Sequence, residues 1–224
     1  MPRVARVVVP GIPHHLTQRG NRREDVFFDD DDRQRYLQLV LEYSAKHGME
    51  TLAYCLMTNH VHFVSVPARA DSLARVFKPV DLRYTQHVNW VHGISGRLWQ
   101  GRFYSCPLDE EHLWAAIRYV ERNPVRARLV RKAENYPWSS AAAHCGLRVE
   151  PMLAPLPAGR PAETADWSRW LAEKEDEKML LRLRLHTRTG RPAGSKRFMT
   201  RLEAKLGRRL QARPVGRPRK TKPK

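Results

Sequence analysis

The stretch METLAYCLMTNHVHFVSVP, residues 49–67, contains two largely apolar segments on either side of Thr58-Asn59. Two such segments, separated by a short polar turn and stopped by Pro67, predict a pair of neighbouring strands. Residues i and i+2 of a strand point to the same face of a sheet, so the rings of His60 and His62 should lie on one side. This pair indicates a metal site. Two histidines half-buried on a sheet, without a metal, would give the same pattern.

Helices are predicted on both sides of these strands. The segment RQRYLQLVLEYSAKHG, residues 33–48, follows a run of aspartates and ends at a glycine, as helices commonly do. Its expected buried face consists of Leu37, Val40, Leu41 and Ser44. A second helix is predicted over about residues 72–92, kinked or broken at Pro79. DEEHLWAAIRYVERNPVRARLV, residues 109–130, predicts a third, which ends or bends at Pro124.

Further strand segments complete the pattern. Residues 4–9 and 14–18 surround Pro10-Gly11, and GRLWQGRFYSCPL, residues 96–108, is strand-like and rich in glycine and aromatic residues. The order of strand, helix, strand, strand, helix, strand, helix predicts an α+β fold, a ferredoxin-like antiparallel sheet covered by helices. We expect one domain at 1–150, a Pro/Ala-rich linker at 151–163 and a helical, strongly basic extension at 164–224.

The positive charge is concentrated at the C-terminal end of the chain. The net charge is +18, and the segment from Arg182 to Lys224 holds 16 Lys and Arg against the single acid Glu203, which gives it +15. The rest of the chain carries only +3. A basic tail on a nearly balanced body predicts a polyanionic partner, by default nucleic acid. A tail that serves only solubility is the alternative.

Composition argues against several other classes of protein. The sequence contains no apolar run of about 18 residues, the minimum for a membrane helix. The N-terminus lacks the long apolar region of a signal peptide, so we expect a cytoplasmic protein without a membrane partner. Cys55, Cys106 and Cys145 are scattered and have no CxxC spacing, which argues against a disulfide framework and a cysteine zinc site.

A pair of residues in the third helix provides candidates for chemistry. Tyr119 and Asn123 are four residues apart and share a helix face if the helix extends to Asn123. The phenol of Tyr119 is a possible nucleophile, and the amide oxygen of Asn123 suits a hard cation. A tyrosine at such a position is also common in protein cores or in surface hydrogen bonds.

In combination, these motifs resemble those of the REP-associated tyrosine transposases, single-tyrosine members of the HUH (His-hydrophobic-His) superfamily. The resemblance covers roughly residues 5–145. It rests on MTNHVHFVSVP, on RLWQGRFYSCPLD and on LWAAIRYVERNPVRARLVRKAENYPWSS. HVH alone would be a weak signal.

The resemblance implies a metal-dependent enzyme that nicks and rejoins single-stranded DNA. His60, His62 and Asn123 would hold Mg²⁺ or Mn²⁺, and Tyr119 would attack the scissile phosphate to form a 5′-phosphotyrosine intermediate. The expected substrate is a hairpin formed by a palindromic repeat, and the expected unit is a monomer. Some relatives have Gln or Glu where this chain has Asn123, which suggests a weak site. A non-catalytic hairpin-binding protein and a replication-type nickase are the alternatives.

Tyr119 is preferred as the nucleophile because it lies four residues before the asparagine of NPV. Tyr54, Tyr104 and Tyr136 compete for this role.

DNA contacts are predicted at two basic segments of the body and in the tail. These are Arg19, Arg22 and Arg23, then Arg97, Trp99 and Arg102, and finally Arg217 and Arg219. The last two belong to VGRPRK, which resembles an AT-hook core suited to a narrow A·T minor groove. Ordinary surface arginines and a generic basic tail would give the same patterns.

Overall fold

A computed structural model describes residues 6–159 and 161–211. The strands are β1 (His14–Arg19), β2 (Met49–Met57), β3 (His60–Pro67) and β4 (Tyr104–Pro107). The longer helices are α1 (Asp30–His47), α2 (Ser72–Val91), α3 (Glu110–Glu121), α7 (Glu177–Thr189) and α8 (Lys196–Leu206). Between α3 and α7 lie the shorter helices α4 (Asn123–Arg126), α5 (Ala141–His144) and α6 (Trp167–Ala172). Three 3-10 turns cover Asn21–Arg23, Ala133–Asn135 and Ala162–Ala165.

The sheet has the strand order β2-β3-β1-β4, and every neighbouring pair is antiparallel. Strand, helix, strand, strand, helix, strand in this order is the ferredoxin-like arrangement, so the predicted α+β fold is confirmed. The turn at Thr58-Asn59 joins β2 to β3 as predicted, and the register places Met57 opposite His60.

Opposite faces of the sheet pack against different helices because alternate side chains of a strand point to opposite sides. Leu16 and Phe63 point to the face covered by α1 and α2, where they meet the rings of Tyr36 and Phe77. On the other face, Val64 and other small apolar side chains pack against α3 and α7. The two faces therefore belong to separate buried clusters.

Helix α1 has clear sequence signals at both ends. The Asp29 side chain accepts a hydrogen bond from the Asp32 N–H at 2.8 Å, and Gly48 adopts the left-handed conformation at φ 65° that ends the helix. The expected buried face is only partly correct, since Leu41 is exposed. Tyr36 and Tyr43 face the core instead, which rotates the buried face away from Leu41.

Three local predictions differ from the structure. Residues 6–9 are not in a strand, and residues 4 and 5 lie outside the described part. Helix α2 continues through Pro79 without a break. Helix α3 ends at Glu121, with Arg122 as its C-cap, so Asn123 begins the separate short helix α4.

The C-terminal part of the described chain packs on the rest of the molecule. Trp167 and Leu183 lie in the same buried cluster as α3, and Phe198 of α8 packs against Val7 and Val9. In the segment 151–163, the Ala154 N–H donates to the Thr51 carbonyl at the outer edge of β2. The division into domain, linker and extension remains a prediction about how the chain is organised. Within the described residues, no helix is long and apolar enough to cross a membrane.

Candidate functional site

Three histidines meet on the sheet face that α3 and α7 cover. In the register of β1 and β3, Arg19 lies opposite His60 and Thr17 opposite His62, so His15 points to the same side. His14 points to the opposite side, as strand alternation requires. Only one of these two adjacent histidines therefore faces the HVH pair.

The three imidazoles are in contact. The His15 and His62 rings lie edge to edge, with their centroids 5.1 Å apart and their planes 7° from parallel. His15 Nε2 lies 2.9 Å from His62 Nδ1. The His60 ring stands nearly perpendicular to that of His62, with a centroid distance of 5.0 Å. The two histidines of HVH are thus adjacent on one face, as predicted.

A buried chain of hydrogen bonds determines which His62 nitrogen carries the proton. The Thr187 hydroxyl donates to the Leu183 carbonyl at 2.8 Å, and its Oγ1 is 2.7 Å from His15 Nδ1. With the hydroxyl proton on the carbonyl side, His15 Nδ1 must be the donor to Thr187. His15 Nε2 is then an acceptor, and His62 Nδ1–H donates to it. His62 Nε2 is left with a free lone pair, the form that binds metals.

Burial favours neutral imidazoles throughout the cluster. It lowers the pKa of His15 to about 3 and that of His60 to about 4, with cationic neighbours adding to the effect. Burial lowers the pKa of His62 well below its ordinary value, and His60 and His15 contribute further. Neutral rings with available nitrogens are the required state of metal ligands.

Helix α3 brings Tyr119 against these histidines. Asp109 caps the helix by accepting from the His112 N–H, Glu110 and Glu111 occupy the first turn, and the apolar face packs on the sheet. The Tyr119 ring meets the His62 ring edge-on at a centroid distance of 5.5 Å and the His15 ring at 5.6 Å.

Two arginines place positive charge beside Tyr119. The Arg126 guanidinium lies 4.2 Å from the centroid of the Tyr119 ring, and that of Arg184 lies 5.5 Å from it. Glu175 holds Arg126 through bonds of 2.8 and 3.0 Å and also contacts Arg122 at 3.2 Å.

The other candidate tyrosines are placed differently. Tyr54 lies on the opposite face of the sheet, where its hydroxyl donates to Glu150 at 2.6 Å. The Tyr136 hydroxyl donates to the Leu56 carbonyl at 2.8 Å. Tyr104 is on the histidine face but two strands from His62, a separation of about 10 Å at normal strand spacing. Tyr119 is the one of these four whose ring contacts the His62 ring.

Asn123 lies one turn beyond Tyr119, although α3 has ended. Its Nδ2 donates to the Tyr119 carbonyl at 3.3 Å, which anchors the amide nitrogen and leaves Oδ1 as the group for a cation. Asn123 is buried.

The donor set on this face fits a divalent cation. His60 Nδ1 bonds to Asn59 Oδ1 at 2.7 Å, and His62 Nδ1 bonds to His15. The Nε2 atom of each has no hydrogen-bond partner among the described residues. Two imidazole nitrogens with their second nitrogens fixed are a typical partial metal site, to which an amide oxygen and substrate oxygens can be added.

A second group with the spacing of metal ligands lies on the opposite side of the sheet. Oxygens of Asp29 and Asp32 and a ring nitrogen of His92 lie within 4.8 Å of one another. Asp29 already caps α1, and Asp32 accepts from the Phe28 N–H at 2.9 Å and contacts His92 at 3.0 Å. These contacts account for the group as a helix cap with a side-chain hydrogen bond.

The predicted DNA contacts divide into exposed and buried residues. Arg19, Arg22, Arg23, Arg97 and Arg102 are exposed. Arg217 and Arg219 lie outside the described residues.

The structure corrects the prediction for Trp99, which is buried and not on the surface. Its indole is 7% exposed, packs against Tyr36 and Tyr84, and donates to the Asp81 carbonyl at 3.3 Å. The sequence predicts that Trp99 contacts DNA together with Arg97 and Arg102, but the structure packs its ring in the core.

Several residues of the site were missed from the sequence. Arg126 follows the NPV motif, whereas Glu175, Arg184 and Thr187 come from the predicted extension. Their separation from Tyr119 in the chain gives no sign of contact. Only the docking of α7 on the sheet brings them together.

Comparisons with known proteins place this geometry in context. Residues 8–123 match the family model described as IS200-like transposase. The solved structure of a REP-associated tyrosine transposase bound to a REP hairpin aligns with a TM-score of 0.55 at 16% identity, covering 72% of this chain and 96% of that one. A protein of Deinococcus radiodurans R1 assigned as a transposase aligns at 19% identity over 54% of this chain and 97% of its own, with a TM-score of 0.38. No curated protein sequence matches this chain.

Proposed function

The chain belongs to the family of IS200-like transposases, and from this premise we propose that it cleaves and rejoins single-stranded DNA through Tyr119. The supporting observation is the contact of the Tyr119 ring with the hydrogen-bonded His15 and His62 rings. A phenol, two imidazoles with fixed tautomers and two guanidinium groups form a site suited to phosphoryl transfer.

The proposed reaction joins Tyr119 to the DNA and releases a 3′-hydroxyl. The phenol oxygen attacks the phosphorus in line, the bond from phosphorus to the 3′ oxygen breaks, and a 5′-phosphotyrosine forms. The phenol gives up one proton and the departing 3′ oxygen takes up one, so the step is balanced. Attack by the 3′-hydroxyl of another strand reverses it and rejoins DNA without ATP.

His60, His62 and Asn123 would hold Mg²⁺ or Mn²⁺, which when bound polarises the scissile phosphate. The roles of the protein groups follow from their positions. The hydrogen bond from His62 to the His15 ring fixes the orientation of His62. Arg126, held by Glu175, lies next to the phenol on which negative charge develops during transfer.

We propose hairpin-forming repeats as the substrate. The relative whose fold this chain shares is described as bound to a REP hairpin, and the exposed arginines of the body suit a nucleic-acid backbone.

A labelled hairpin oligonucleotide with single-stranded flanks and Mn²⁺ provides the test. The wild-type chain should form a covalent adduct that survives denaturation. Tyr119→Phe should form none, while the matched variant Tyr104→Phe should form it at the wild-type level. An adduct in Tyr119→Phe would refute the assignment of the nucleophile. Hairpin binding without any adduct would instead indicate a non-catalytic DNA-binding protein.

We further propose that the active unit is a monomer. His15, His62 and Tyr119 of one chain are in mutual contact, so the site needs no residue from a second copy. A mixture of His62→Ala and Tyr119→Phe chains should therefore stay inactive. Recovery of adduct formation in the mixture would show that sites are shared between chains.

A further inference from the structure

We propose that a groove between the β4 edge of the sheet and the C-terminal segment (residues 188–211) binds the single-stranded DNA next to the cleavage site. This inference rests on the proposed function. The groove has a volume of about 790 Å³ and is lined by seven arginines and no acid. Arg19 and Arg102 belong to the body of the chain, and Arg188, Arg191 and Arg209 to the C-terminal segment.

Five of the groove arginines differ from several arginines elsewhere in lacking an ion-pair partner among the described residues. Elsewhere, Arg75 pairs with Asp71 at 2.5 Å and Arg126 with Glu175 at 2.8 Å. Within the described residues, Arg19, Arg102 and the other groove arginines just named have no carboxylate within ion-pair distance. A concentration of like charge at a concave surface repels itself and attracts a polyanion.

Arg6 shows how closely this charge is packed. Its guanidinium lies 3.6 Å from the centroid of the Phe103 ring, and its Nε donates to the Phe103 carbonyl. Burial, with Arg102 as the next contribution, lowers the Arg6 pKa to about 10. Arg208 donates to the Arg6 carbonyl at 2.9 Å, so the C-terminal segment and the body are joined at the floor of the groove.

The groove begins beside the histidine cluster. Arg19 lies opposite His60 across the two strands, and Tyr104 lies opposite Thr17, which itself lies opposite His62. Tyr104 therefore stands on the histidine face about two strand spacings, roughly 10 Å, from His62. A DNA strand whose scissile phosphate lies at His62 would therefore enter the groove within the next few nucleotides.

The lining favours a single strand over a duplex. Tyr104 is half-exposed at the rim and offers a ring face on which an unpaired base can stack. Gln100 is also exposed and provides an amide for base edges. In a duplex the bases are already stacked on one another, so only its phosphates could use this surface. Arginines alternating with an aromatic ring are the usual composition of single-strand grooves.

The test measures binding of a labelled twelve-nucleotide oligothymidine in EDTA, so that cleavage is not required. Two double variants remove charge from opposite walls, Arg19→Gln with Arg102→Gln and Arg188→Gln with Arg191→Gln. Loss of two phosphate contacts should weaken binding by about 25-fold at about 0.1 M salt and reduce the salt slope by about 1.4. The control, Lys178→Gln with Arg182→Gln, removes two exposed charges from α7 outside the groove and should change affinity less than about threefold.

Each outcome decides the proposal. A loss in both wall variants with native melting temperatures supports a groove shared by the body and the C-terminal segment. A loss in only one wall variant, or an equal loss in the control, overturns it. Weaker competition by oligothymidine than by a duplex of the same length overturns the single-strand assignment. Because binding in EDTA does not require attack by Tyr119, failure here leaves the adduct test unaffected, and failure of that test leaves this one standing.

Discussion

Replacing Thr187 by valine should change the tautomer of His62, a residue that it does not touch. Valine keeps the branched shape but removes the hydroxyl, which is buried and bonds to both the Leu183 carbonyl and His15 Nδ1. A buried Nδ1–H on His15 would then lack an acceptor, at a cost of about 1–3 kcal/mol. The ring can avoid this cost by moving its proton to Nε2. His15 would then donate to His62 Nδ1, and the proton of His62 would move to Nε2, the atom assigned to the metal.

The structure therefore sets the expected magnitudes. Thr187→Val should lower the free energy of unfolding by about 1–3 kcal/mol. It should weaken Mn²⁺ binding by about 10–100-fold, the usual effect of losing a group that orients a metal ligand. Titration calorimetry measures the affinity, and long-range ¹H–¹⁵N NMR of labelled histidine identifies the tautomer without metal.

Thr189 provides a matched control on the same helix. Its hydroxyl donates to the Leu185 carbonyl at 2.9 Å, as that of Thr187 does to Leu183, and to the His186 carbonyl at 3.2 Å, but it bonds to no imidazole ring and is exposed. Thr189→Val should leave the His62 tautomer and Mn²⁺ affinity unchanged. The reasoning is refuted if Thr187→Val keeps the proton on His62 Nδ1 and binds Mn²⁺ as the wild-type chain does.

Three further outcomes are expected. Glu175→Gln should lower the free energy of unfolding in urea titrations by about 3 kcal/mol, because it leaves Arg126 without its partner in a nearly buried pair. The control Glu173→Gln removes a half-exposed carboxylate and should change that free energy very little. Equal effects of the two variants would contradict the argument. Tyr104→Ala should weaken binding of single-stranded DNA by about 1–3 kcal/mol whereas Tyr104→Phe retains it, and equal affinities in an anisotropy assay would exclude base stacking there. The free energy of unfolding in EDTA should fall as the pH drops below about 6.5, because the unfolded chain then binds protons while buried imidazoles such as that of His15 stay neutral. The slope should be about 1.4 kcal/mol per pH unit for each such histidine, down to its lowered pKa. Equal unfolding free energies at about pH 7.5 and about pH 5 would contradict this expectation.

Local patterns in the sequence predicted most of the sheet and its flanking helices. Some signals depend only on near neighbours in the chain and can therefore be read without the fold. They are the Thr58-Asn59 turn, the aspartates at the start of α1 and the glycine after it. The prediction failed where tertiary packing competes with a local pattern. Trp99 resembles a surface aromatic among arginines, but the core between α2 and the sheet buries it. Leu41 extends an apolar stripe, but the helix turns Tyr36 and Tyr43 inward.

The candidate site shows the same division. Strand alternation alone predicted that His60 and His62 share a face. The proximity of Tyr119 to that face was expected from the resemblance, and the structure places its ring in contact with His62. The roles of these residues in catalysis remain predictions for the adduct and metal-binding experiments.

The sequence by itself determined most of the strands and helices and the alternation that points two imidazoles to one side, because these depend on residues within a few positions of one another. Only the tertiary structure decided what completes the site. Thr187 is 172 residues from His15 in the chain, yet their side chains share a hydrogen bond. The arginine groove likewise has one wall from β1 and the segment before β4 and the other from the C-terminal segment. Such contacts arise because α7 docks on the sheet and buries apolar surface there. The hydrophobic effect is not directional, so no local pattern in the sequence shows which distant side chains this docking brings together.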